Sequence, residues 1–157
     1  MAYSLGINSQ KNLDGVKPNL VEVVQRAIKI TKVDFSVLDG VRAIEEQLEF
    51  VRTGASHTMR SYHLLQDDGF GHAVDLVPYI AGKSRWEMAP CCKIADAIRQ
   101  AADELDVNVK WGGCWSILTG STPWQTEIMV GQYISRKLLA DKGFFLDGPH
   151  YELLEGG

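Results

Sequence analysis

Apolar residues recur at helical spacing in NLVEVVQRAIKI, where Leu20, Val23, Val24, Ala27 and Ile28 share one face behind Pro18 and Asn19. The pattern predicts a first helix. VDFSVLDGVR then reads as a short strand from Val33 to Leu38, followed by a glycine turn that delivers Arg42 at the strand's exit. RAIEEQLEFVRTG predicts a second helix, with Ile44, Leu48 and Val51 as its buried stripe and Gly54 as its C-terminal cap. From Ala55 to Gly71 the chain is polar and aperiodic, so a loop is expected. AVDLVPY follows as a strand that Pro78 should end or confine to an edge, because proline lacks the donor a central ladder needs. The clearest helix runs from Pro90 to Leu105, with Ile94, Ala97, Ile98, Ala101, Ala102 and Leu105 in register. VNVKWGG alternates as a strand, hiding Val107, Val109 and Trp111 and exposing Asn108 and Lys110. A helix of uneven periodicity is expected between Thr122 and Ala140, and FFLDGPHYELL ends in a turn and a last strand. This order predicts an α+β fold, a small mostly antiparallel sheet backed by helices.

A chain of 157 residues accommodates one domain, and a domain of this size buries roughly two-thirds of the surface its unfolded form exposes. The net charge of -4 is spread without long single-sign blocks, which disfavours a nucleic-acid partner. No stretch approaches the roughly 20 apolar residues of a membrane span. The start MAYSLGINSQK has no basic segment leading into an apolar one, so synthesis in the cytoplasm without a signal and without stable membrane insertion is expected. Cys91, Cys92 and Cys114 have neither a thiolate metal spacing nor the density of a disulfide framework. Buried thiols in a reducing compartment are the simpler reading.

Only four histidines occur, His57, His63, His72 and His150, so metal sites can be enumerated. Asp75 interrupts an apolar run, and a carboxylate is costly to bury without a partner. Strand alternation puts His72 and Asp75 on opposite faces, which makes them poor joint ligands. His63, from the preceding loop, can fold back across the strand start. At the other end DGPHYEL sets Asp147 and His150 across a Gly-Pro turn. His63, Asp75 and His150 would form a two-histidine, one-carboxylate set with a position open to water, the pattern of a catalytic zinc. Asp147 is then the neighbouring base. Spacing alone leaves a plainer alternative, in which Asp75 points to solvent and the histidines are ordinary surface residues.

SYH, GHAVDLVPY with GKSRW after it, VKWGGCW and DGPHYEL together resemble the zinc L-alanyl-D-glutamate endopeptidases of phage lysis. These enzymes belong with the D-alanyl-D-alanine carboxypeptidases and share the hedgehog/D-alanyl-D-alanine peptidase fold. GINSQKNLDGVKPNLVEVVQRAI and VDFSVLDGVRAIEEQ extend the likeness to the start of the chain. The resemblance implies Zn2+ held by His63, Asp75 and His150, with Asp147 as catalytic base and Arg42 facing the substrate carbonyl. It implies a single catalytic domain over residues 1–157 without a separate wall-binding domain, acting as a monomer on the peptidoglycan peptide stem. Release from the host cytoplasm to the periplasmic side of the wall would depend on a separate holin-like pore. A D-alanyl-D-alanine carboxypeptidase on the same scaffold and a non-catalytic wall-binding module are the alternatives.

Three features depart from the family pattern. Twelve positions separate His63 from Asp75, an enlarged loop that leaves His72 as a rival first ligand. Cys114 stands where many relatives carry an acid. The segment from Ser116 to Phe145 is longer than the family core needs, and its helix, with Trp124, Ile128, Ile134, Leu138 and Leu139, either roofs the site or thickens the domain. Trp111 either lines a cleft or packs in the core, and Tyr62, Trp115 and Tyr151 are weaker candidates.

Overall fold

A computed structural model of the chain describes residues 2–56, 61–118 and 125–154. The order of elements is α1 (Ile7–Asn12), α2 (Pro18–Ile30), β1 (Phe35–Asp39), α3 (Ile44–Thr53), β2 (Ala73–Ile80) and β3 (Lys83–Ser84), then α4 (Met88–Leu105), β4 (Val109–Trp111), β5 (Ser116–Leu118), α5 (Thr126–Leu139) and β6 (His150–Leu153). The sheet runs β1-β2-β6-β4-β5 with every pairing antiparallel, and β3 hairpins onto the end of β2. This is the expected α+β fold.

One face of the sheet is sealed by helices. Val37, Val74, Leu76, Val109, Trp111, Tyr151 and Leu153 enter a single core with the apolar faces of α2 and α4. The α2 stripe of Leu20, Val23, Val24, Ala27 and Ile28 is buried as its spacing predicts. Full burial of each larger aliphatic side chain contributes about 1.5–3 kcal/mol. α5 packs outside α4, with Thr126 Oγ1 donating to Cys92 O at 2.8 Å. It thickens the helical layer, while Leu138 and Leu139 stay exposed. Among the described residues no helix is long and apolar enough to cross a membrane.

The expected stripe of the second helix is overturned. On α3, Ile44, Leu48 and Val51 are 62%, 54% and 37% exposed, and the one buried side chain is Gln47, at 0%. The helix lies over the open face of the sheet, away from the core, and polar contacts dock it there. The short α1 was not predicted. It closes the free edge of β1, where Ser9 Oγ accepts from Val37 N at 3.0 Å and Asn12 Nδ2 donates to Val37 O at 2.8 Å, in place of a neighbouring strand.

Pro78 does not end β2, which runs on to Ile80. Leu76 N donates to Pro149 O on one side and Tyr79 N to Asp34 O on the other, so the missing donor of residue 78 falls on the β6 side, past the last β6 pair. The proline therefore sits at a local edge. β3 and β5, of two and three residues, are too short for periodicity to reveal. Trp124, His57 and Arg60 lie outside the described residues.

Candidate metal centre

Asp75 and His150 are directly opposed across the β2–β6 ladder, so both project from the open face of the sheet. This explains the carboxylate in AVDLV: Val74 and Leu76 point into the core, and Asp75 points the other way. His63 comes from the loop before β2 and is 2% exposed. The exit of β1 grips it twice, through Arg42 N donating to His63 O at 2.8 Å and His63 Nδ1 against Gly40 O at 2.8 Å. A carbonyl only accepts, so Nδ1 carries the proton and Nε2 is left as a lone-pair donor towards Asp75.

His63 Nε2 and His150 Nδ1 each lie 3.3 Å from Asp75 Oδ1. One ligand atom from each of the three residues falls within 4.8 Å of the others. Bond lengths of about 2.0–2.2 Å to a tetrahedral ion would set its ligands about 3.3–3.6 Å apart, so the donor set fits a divalent cation in chemistry and spacing. The outer nitrogen of His150 is also engaged, with Nε2 2.8 Å from Glu152 Oε1. Carboxylate and carbonyl partners of this kind fix the ring and tautomer of metal-binding histidines. Among the described residues this is the one such His, Cys, Asp and Glu grouping.

Asp147 lines the same cleft, of about 790 Å³, together with Leu38, Arg42, Phe50, Trp115 and Phe145. The WGG segment holds its backbone. Asp147 N donates to Gly112 O at 2.9 Å and Gly112 N to His150 O at 2.9 Å, so one residue bridges both ends of the DGPH turn. A Cβ on Gly112 would meet Asp147 O at 2.3 Å, which only glycine avoids. Trp111 is core and not cleft wall: it is fully buried, and Nε1 donates to Gly148 O at 2.7 Å. Cys114 is likewise buried, its thiol pushed up chiefly by burial. Trp115 does line the cleft, its ring 5.7 Å from that of His150. Its φ of 50° is left-handed, at a cost of roughly 1–2 kcal/mol for a residue with a Cβ.

The electrostatics follow from burial and crowding. Burial alone would raise Asp75, but contacts from His150 and His63 hold it well below the usual carboxylate range. Burial would lower His150, yet Asp75 and Glu152 raise it to about 9. Asp147 is raised, first by burial and then by the charge of Asp75. Arg42 borders the group, with Nη2 3.8 Å from Asp75 Oδ2.

The geometry thus brings His63, Asp75, His150, Asp147 and Arg42 around one cleft and leaves His72 outside. His72 Nε2 is 2.8 Å from Asp68 Oδ2, which also meets Lys17 Nζ at 3.3 Å. Those contacts fold the enlarged loop back on itself and on the start of α2. Tyr62 lines the cleft, whereas Tyr151 is core. Glu152 and Gln47 escaped the sequence reading. Glu152 had a signal, since it follows His150 by two positions in a strand and must share its face.

The sequence profile of a family described as phage L-alanyl-D-glutamate peptidase matches residues 1–154. The chain is 30% identical over 158 aligned positions to the L-alanyl-D-glutamate peptidase of Escherichia phage T5, covering 98% of this chain and 100% of that protein. It is also similar to the crystal structure of Serratia marcescens L-Ala D-Glu endopeptidase ChiX, with a TM-score of 0.69, 36% identity, and coverage of 98% of this chain and 90% of that one.

Proposed function

The chain belongs to the phage L-alanyl-D-glutamate peptidase family, and from that premise we propose that it is a zinc endopeptidase that hydrolyses the L-alanyl-D-glutamate bond of the peptidoglycan stem. The observation that carries the reading is the convergence of His63 Nε2, Asp75 Oδ1 and His150 Nδ1 within a cleft that also holds Asp147. We read these three atoms as the ligands of one Zn2+, and the single sheet-and-helix core as the catalytic domain.

When bound, the cation supplies Lewis acidity, polarising the scissile carbonyl and making water acidic enough to ionise near neutral pH. Asp147 takes the proton as the water oxygen attacks the carbonyl carbon, and hands it to the amide nitrogen as the C–N bond breaks. Its raised pKa makes it a better proton acceptor than an exposed aspartate. Arg42 presents fixed positive charge where the carbonyl oxygen becomes negative. Glu152 and Gly40 O keep the two imidazoles in orientation. Such an enzyme acts on the wall after leaving the host cytoplasm through a separate membrane lesion, and works as a monomer.

The test is digestion of purified muropeptides followed by amino-terminal labelling and mass analysis. A new amino terminus on glutamate is expected, with about one zinc per chain in elemental analysis. Release of D-alanine alone would transfer the protein to the carboxypeptidases. Full activity with no bound metal would overturn the zinc reading.

A further inference from the structure

Helix α3 inverts its own hydrophobic pattern, burying a glutamine and exposing its apolar stripe. What Gln47 touches accounts for the inversion. Its Oε1 accepts from Arg42 Nη1 at 2.7 Å, and its Nε2 donates to Ser56 Oγ at 2.9 Å. The rest of the guanidinium is also held: Nε and Nη2 donate to Asp39 Oδ2 at 3.1 and 2.7 Å, and Cζ lies 4.6 Å from the centre of the Phe50 ring. Three of the five N–H groups of the fork are directed in this way, and Nη2 remains 3.8 Å from Asp75 Oδ2.

An arginine side chain has about 2 kcal/mol of rotamer entropy to lose on ordering. Here that ordering is imposed by the protein before any substrate arrives. Asp39 sits on β1 and fixes one side of the plane. Gln47 and Phe50 sit on α3 and fix the opposite edge and one face. Glu46 and Phe50 of the same helix line the cleft, so the cleft wall and the arginine are oriented as one unit.

We infer that Gln47 is a positioning residue for Arg42, and that α3 is docked through a polar clamp because its task is to aim that guanidinium at the reacting carbonyl. The inference rests on the peptidase reading, and specifically on Arg42 stabilising the transition state. Without Gln47 the Nη1 edge is free to rotate, and charge reaches the carbonyl oxygen in only a fraction of molecules.

The test is a double-mutant cycle with the zinc-loaded, full-length protein on a stem-peptide substrate. Gln47→Met keeps the volume and removes the acceptor; Gln47→Glu keeps an acceptor for Nη1. Gln47→Met should lower kcat by at least tenfold with KM and zinc affinity little changed, and Gln47→Glu should stay within about threefold of wild type. Combining Gln47→Met with Arg42→Ala should cost nothing beyond Arg42→Ala alone, a non-additivity that a merely structural glutamine would not produce. Multiplying losses, a wild-type rate for Gln47→Met, or a Gln47→Glu protein as slow as Arg42→Ala would each overturn the clamp. If Gln47→Met does not fold, the Gln47→Glu result decides alone. A wild-type rate for Arg42→Ala would remove Arg42 from the chemistry and the clamp with it, whereas an inactive Arg42→Ala beside a fully active Gln47→Met would sink the clamp only.

Discussion

Metal uptake should compete with a proton on His150. In the metal-free protein this imidazole is held up to about 9 by Asp75 and Glu152 against the effect of burial, from an ordinary value of 6.5. A ligand nitrogen must be neutral, so below the raised pKa each captured cation displaces a proton. Apparent affinity should therefore rise about tenfold per pH unit up to about 9, or roughly a hundredfold between pH 7 and 9. The same shift sets a stability slope in the metal-free protein. A raised folded-state pKa contributes stability that is fully present below 6.5 and lost as pH rises through about 9. The 2.5-unit difference between those two values corresponds to an upper figure of about 3 kcal/mol. Chelator competition at several pH values, with calorimetry in two buffers of different ionisation heat, measures the affinity slope and the proton released. Glu152→Gln removes one of the two supporting carboxylates, so its slope should flatten at a lower pH, with affinity down about 10–100-fold. Affinity that is flat between pH 7 and 9, with no proton released, would refute the reasoning.

Asp147→Asn should keep stoichiometric zinc and lose about 10²–10⁴-fold in turnover, as removal of a general base does; wild-type turnover in that variant would exclude Asp147 as the base. Gly112→Ala forces a Cβ towards a carbonyl oxygen 2.3 Å away, so it should displace the Asp147 turn, lowering activity and also Tm, by the few degrees that about 1–3 kcal/mol of overpacking implies. A variant with unchanged melting and rate would mean the turn moves freely. His63→Ala should abolish tight zinc binding while His72→Ala retains it, and the reverse result in metal titrations would make the loop's second histidine the ligand.

The sequence carried the core elements because their patterns are periodic: α2 and α4 bury the faces their spacing marks, and β2, β4 and β6 alternate as strands do. α3 misled because amphipathicity reports a face suited to burial, whereas the chain used the opposite face to satisfy a guanidinium. Asp75 was legible as an anomaly, since a carboxylate in an apolar strand demands partners. The spatial meeting of His63 with His150 was not, because eighty-seven positions of chain separate them and only strand pairing brings them together. The resemblance to known peptidases bridged that gap. Glycine 112 looked like a place for a peptide to approach and proved to be a backbone anchor for the DGPH turn.

The short helix at the start of the chain has a bearing on association. With Ser9 and Asn12 occupying the outward-facing amide and carbonyl of Val37, that side of the sheet offers no template for another strand at the point where a neighbour would dock. The opposite margin is only the three residues of β5, too short a rail to seed ordered stacking. A protein held in high concentration until the moment of lysis is thereby guarded against edge-to-edge polymerisation at both ends of its sheet.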